Sequence, residues 1–131
     1  MNTVCTEGLL KRKRAHKTSI KSIARLILTK KGLDVMLMDL RKITMTTDFF
    51  ILASGESDTH VRAIADHLID ETEKRKKRKP WHIEGYEHAQ WVLIDYVDFV
   101  AHIFQPEARE YYNLERLWGD AAQEEIADIP R

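Results

Sequence analysis

This chain predicts an α/β domain of α+β-like organisation, in which a mixed five-stranded sheet carries flanking helices. Three observations point there. Short apolar runs rich in β-branched and aromatic residues have strand length, three other stretches repeat apolar residues at helical spacing, and turn or capping residues stand at the junctions. The element order is α-β-β-α-β-β-β-α.

The first helix is "TSIKSIARLILTKKG". Thr18 or Ser19 is placed to cap it, Ile20, Ile23, Ala24 and Ile27 form one face, and Gly32 ends it. "DVMLMDL", Asp34 to Leu40, is apolar on one face and nearly so on the other, as a well-buried strand is. A polar connection, "RKITMTT", leads to a second strand, "DFFILAS". "GESDTH" is a turn whose Ser57 or Asp58 caps the next helix, where Val61, Ile64, Ala65, Leu68 and Ile69 share a face. The basic run "KRKKRK", Lys74 to Lys79, closes that helix and suits its dipole, and Pro80 stops it. "WHIEGY" is a short strand breaking at Gly85. Trp91 to Tyr96 and Phe99 to Phe104 are two more, joined by a tight hairpin through Val97 and Asp98. "PEAREYYNLERLWGDA" reads as a closing helix with Pro106 in its first turn and Gly119 at its end.

The 131 residues suit one domain, residues 18–120, between a basic N-terminal tail (1–17) and an acidic C-terminal tail (121–131). At 44% apolar and 32% charged the composition is globular, and no run approaches a membrane span. A secretory signal is absent, and the single cysteine, Cys5, permits no disulfide framework within the chain. These features fit a reducing, cytoplasmic setting, although the basic, acid-poor start also suits an organelle transit peptide. The zero net charge conceals an asymmetry. Residues 1–31 hold nine Lys/Arg against one acid, whereas residues 32–131 hold twelve against twenty. An acidic body suits a basic protein partner, and basic runs suit a phosphate backbone or plain solvation.

Nucleotidyl transfer needs carboxylates close enough to share a metal. Asp39 lies in one strand, and Asp95 and Asp98 flank the hairpin three apart, a spacing that splits them across a turn. Aspartate at a hairpin end ordinarily bonds local amides. Of the six histidines, only His60 and His67 share a helix, about 10 Å apart along its axis, too far for one ion. No metal or cofactor is expected, and Cys5 lacks any setting that would activate it. The aromatics say more. In the strand from Trp91, side chains of Trp91, Leu93 and Asp95 point one way and Val92, Ile94 and Tyr96 the other. Trp91 beside acids is either ordinary core or an anchor for a basic partner.

"TDFFILASGES", "HVRAIADHL", "EGYEHAQWVLIDYVDFVAHIF" and "REYYNLERLW" together resemble the ribosomal silencing factors, also called the RsfS or Iojap family, over about residues 20–120. The resemblance implies a nucleotidyltransferase-like topology without the catalytic residues. It also implies a non-enzymatic repressor that binds ribosomal protein L-fourteen on the large ribosomal subunit and blocks joining of the small subunit when nutrients run short. Candidate partner-binding residues are then Glu84, Tyr86, Trp91, Asp95, Tyr96 and Asp98, with auxiliary contacts from the basic runs to ribosomal RNA and a monomer or weak homodimer in solution. At the hairpin the family pattern is Asp, any residue, Gly, Asp, then Val or Ile. Here Val97 replaces the glycine, and a positive φ there would strain it. A metal-dependent nucleotidyltransferase and an RNA-binding adaptor are the alternative readings.

Overall fold

The structure, a computed structural model, describes residues 16–127. The basic tail expected over 1–17 lies outside these residues except for its last two, and Lys17 opens the first helix. The elements are α1 (Lys17–Leu28), β1 (Leu33–Asp39), β2 (Phe49–Ser54), α2 (Asp58–Lys76), β3 (His82–Glu84), β4 (Trp91–Asp95), β5 (Phe99–Phe104), α3 (Pro106–Tyr112), α4 (Leu114–Leu117) and β6 (Ala122–Glu125). One six-stranded sheet runs β3-β4-β5-β2-β1-β6. β2 and β5 pair in parallel and every other neighbour pair is antiparallel. The parallel pair at the centre requires a crossover, which α2 and the β3–β4 hairpin provide.

The expected five strands are therefore six. β6 falls in the stretch that the sequence marks as an acidic tail, because "AQEE" has no apolar alternation to announce a strand. An edge strand needs only backbone pairing, and polar side chains there protect the edge. Buried Ala121 and Ile126 fix its two ends, while Glu124 meets Lys17 at 3.1 Å and Lys21 at 2.5 Å on α1. The single closing helix is also two. Asn113 adopts the left-handed region (φ 46°), ends α3, and caps α4 by accepting the Arg116 N–H at 3.3 Å. At α1 neither Thr18 nor Ser19 caps. His16 occupies that position without a side-chain bond. Ser57 does cap α2, accepting the His60 N–H at 3.1 Å.

The two sheet faces differ in cover. α1 and α2 lie over one face and seal the main core, where Phe49, Ile51, Ile94, Phe99 and Ile103 are fully buried. Histidines tie these helices to the adjoining loops: His67 Nε2 lies 2.8 Å from Thr29 Oγ1, and His60 Nε2 lies 2.8 Å from the Lys30 carbonyl. On the other face α3 and α4 cover only a smaller cluster around Met38, Leu40, Leu52, Phe104 and Leu114. The rest of that face is open, and it is where the functional question lies.

Candidate docking face

Register dictates which side chains reach the open face. Paired residues on neighbouring strands share a face, so Glu84, Leu93, His102 and Leu52 form one row across it. His82, Asp95, Val100, Phe50 and Met38 form the next. Beyond the cover of α3 and α4 these rows floor a groove of about 590 Å³. Phe50, Leu93, Val100 and His102 make its base. Its walls are Thr44, Thr46 and Thr47 from the β1–β2 connection, Trp118 after α4, and Trp81 with Val97 near the hairpin. Trp81 is 74% exposed, which is unusual for the largest apolar side chain.

The six sequence-predicted residues divide. Glu84, Trp91 and Asp95 do share the open face, although Trp91 is not free on it. Its indole stacks on Phe104 at 5.1 Å between centroids, lies 4.7 Å from the Tyr112 ring, and donates its Nε1–H to His102 Nδ1 at 3.0 Å. Trp91 is thus packed under α3 rather than projecting beyond the sheet. Tyr96 belongs to the opposite, sealed face: it is 3% exposed, its hydroxyl meets Thr72 Oγ1 at 2.7 Å, and burial raises its pKa. Tyr86 reaches away to α2, where its hydroxyl donates to Asp66 at 2.9 Å. Gly85 makes that departure possible (φ +79°), and a Cβ there would stand 2.1 Å from the Trp91 carbonyl oxygen. Asp98 is occupied by Arg78, at 2.6 and 3.0 Å. Asp95 bonds its own turn, accepting the Val97 N–H at 2.7 Å.

The candidate carboxylates do not converge. Asp39 sits on β1 on the helix-covered side and accepts from Arg41 Nε at 2.9 Å and Nη2 at 2.7 Å. That hydrogen bond holds its carboxyl below the usual carboxylate range. β5 and β2 separate it from β4, a lateral gap of about 14 Å at ordinary strand spacing. Among the described residues no cluster of three or more His, Cys, Asp or Glu could hold a metal ion. Nor, among the described residues, is any helix long and apolar enough to cross a membrane.

His102 is the residue whose importance the sequence did not signal. It is buried, and that burial pushes its pKa down to about 3, so it is neutral near pH 7. Because Nδ1 accepts from Trp91, the ring proton lies on Nε2, which is buried at the groove base without a partner among the described residues. The groove itself was hidden for a related reason. Its walls come from residues 44–47, 81, 97 and 118, segments that only the folded sheet assembles.

Fold and face together define a small mixed-sheet domain, sealed by helices on one side and presenting an aromatic-walled apolar groove on the other. A family described as "RsfS: Ribosomal silencing factor during starvation" matches residues 13–131. The ribosomal silencing factor RsfS of Halalkalibacterium halodurans is 40% identical over 100 residues, covering 76% of this chain and 85% of its own. That of Bacillus subtilis is 38% identical over 102 residues, covering 76% and 81%. A crystal structure of a Chromobacterium violaceum protein superimposes with TM-score 0.74 at 30% identity, covering 89% of this chain and 92% of that one. The chain belongs to the ribosomal silencing factor family.

Proposed function

We propose that this protein is a cytoplasmic, non-enzymatic repressor of translation that binds the large ribosomal subunit through ribosomal protein L-fourteen and occludes the surface on which the small subunit joins. The observation that carries this reading is the open groove. An apolar hollow of about 590 Å³ with aromatic walls accommodates large apolar side chains of a protein partner. Asp95 on its wall and Glu84 on the adjacent row add negative charge beside it, which favours a basic partner. Family membership supplies the ribosome as the setting. The mechanism is steric. A stable interface covers about 800 Å² on each partner, and a body of this size seated there denies the small subunit its contacts.

A nucleotidyl-transfer reading lacks geometry, since Asp39, Asp95 and Asp98 lie on different faces or in a turn, each with its own donor. The test is subunit association at fixed magnesium. Added before mixing, the protein should lower the fraction of coupled subunits in sucrose gradients, while preformed couples resist it. Unchanged association at saturating protein would overturn the proposal.

A further inference from the structure

The basic run that closes α2 has more charge than the fold uses. α2 ends at Lys76, and Lys77 takes the left-handed cap (φ 56°), donating its N–H to the Glu73 carbonyl at 3.1 Å. Three of the six cations are engaged: Arg75 with Glu71 at 2.7 Å, Arg78 with Asp98 at 2.6 Å, and Lys79 with Glu73 at 3.8 Å. Lys74, Lys76 and Lys77 are exposed and make no salt bridge among the described residues. The helix dipole accounts for Lys74 and Lys76 in the last turn, but not for Lys77 beyond it. Immediately after the run stands Trp81. Its backbone is fixed, its N–H donating to the Asp95 carbonyl at 2.7 Å, while its side chain is 74% exposed, with the His82 ring 5.6 Å away. Trp81 is four positions after Lys77, so their Cα atoms lie within about 14 Å of each other.

An exposed indole on a backbone tied to β4, next to lysines without salt bridges among the described residues, is the arrangement that holds single-stranded nucleic acid: bases stack on the ring and phosphates meet the cations. We propose that Trp81 and the Lys74–Lys77 corner bind an unpaired RNA segment, with Trp81 as the stacking platform. Arg78 is excluded from this role, because it holds the β4–β5 hairpin. The inference rests on the docking reading only for which RNA lies beside the groove, namely ribosomal RNA next to the bound protein partner.

The test uses the full chain and a short fluorescent oligouridine, read by anisotropy across a salt series. Wild-type protein should bind with salt-dependent affinity. Trp81→Ala should weaken binding about tenfold or more without altering the salt slope. Lys76→Gln with Lys77→Gln should reduce that slope by about 0.7 for each phosphate no longer neutralised. Trp81 is solvent-exposed, so thermal unfolding of each variant should match wild type. Oligouridine binding that is absent in wild type, or intact in Trp81→Ala, overturns the proposal. Intact RNA binding with lost large-subunit binding would return Trp81 to the protein-docking groove. The oligouridine assay contains no ribosome, so its failure is distinct from a failure of silencing.

Discussion

Arg78 forks onto Asp98 across twenty residues of chain. Its Nη1 donates to Oδ2 at 3.0 Å and its Nη2 to Oδ1 at 2.6 Å, while Nη2 also reaches the Tyr96 carbonyl at 2.9 Å. The guanidinium lies over the Tyr96 and Phe99 rings at 5.6 and 5.4 Å. One arginine therefore fastens the end of α2 to the hairpin that walls the groove. The Asp98 side chain is only 16% exposed, so its loss of a partner is felt, though solvent around Arg78 reduces the effect. Arg78→Ala should cost about 1–2 kcal/mol. A cycle with Asp98→Ala should recover about 1 kcal/mol of coupling by chemical denaturation. Additive effects would show that the pair contributes nothing to stability.

Val97 is the strained residue of the same hairpin. Its φ of 78° places a β-branched side chain in the left-handed region, with the Asp98 N–H bonded to the Tyr96 carbonyl at 3.0 Å across it. The positive φ expected from the family glycine is thus present, and valine tolerates it because the Asp95 carboxylate and the Tyr96–Phe99 backbone pair hold the turn. Val97 is 48% exposed, so little packing depends on its methyl groups. Val97→Gly should raise unfolding free energy by about 1 kcal/mol, the strain relieved exceeding the added chain entropy. A lower midpoint in the glycine variant would mean the turn is not strained.

What could be read beforehand followed from periodicity. Ile20, Ile23 and Ile27 on α1, and Val61, Ile64 and Leu68 on α2, announced buried faces by their spacing, and those faces are buried. Period-two alternation likewise separates Trp91 from Tyr96, and the two side chains do lie on opposite faces, so they cannot belong to one site. Face assignment had to override proximity in sequence. β6 escaped because backbone pairing leaves no mark in "AQEE". The break at Asn113 escaped because the apolar stripe runs on through it, although asparagine tolerates the left-handed region it adopts. The groove escaped because distant segments build it.

His102 makes acid stability a test of the buried ring. Folded, it protonates only near pH 3, whereas the unfolded chain takes up the same proton near 6.5. Between those values the unfolded state binds more protons, so stability falls as pH falls, by at most about 1.4 kcal/mol per pH unit. Lowering pH from about 6.5 to 5 should cost up to about 2 kcal/mol from this residue alone. Asp39, Glu71 and Glu124, whose pKa values are lowered by bonds to Arg41, to Arg75 and to Lys21 with Lys17, lose their contributions from the ordinary carboxylate range downward, which leaves most of that window to His102. His102→Gln retains an acceptor for the Trp91 N–H and should flatten the profile. An equally steep variant would place the acid sensitivity elsewhere.

Trp91 decides between an anchor for a partner and part of the fold. The structure gives it the contacts of a structural residue: Phe104, Tyr112 and the hydrogen bond to His102 Nδ1. Truncation would open the cover between β4 and α3 and remove the donor that sets the His102 tautomer. Trp91→Ala should therefore lower unfolding free energy by about 3 kcal/mol, approaching Ile94→Ala on the sealed face. Trp91→Phe is the milder change: it keeps one aromatic ring against Phe104 and Tyr112 but loses the Nε1–H and part of the indole's packing, at a cost of about 1–2 kcal/mol. Thermal unfolding and large-subunit binding measured on all three variants provide the comparison. The expected outcome is that Trp91→Ala and Ile94→Ala lower the midpoint together, with any loss of binding following the loss of fold. A Trp91→Ala chain that kept its midpoint and lost binding would make the indole a free anchor, and the aromatic cover seen beneath α3 would have no energetic weight.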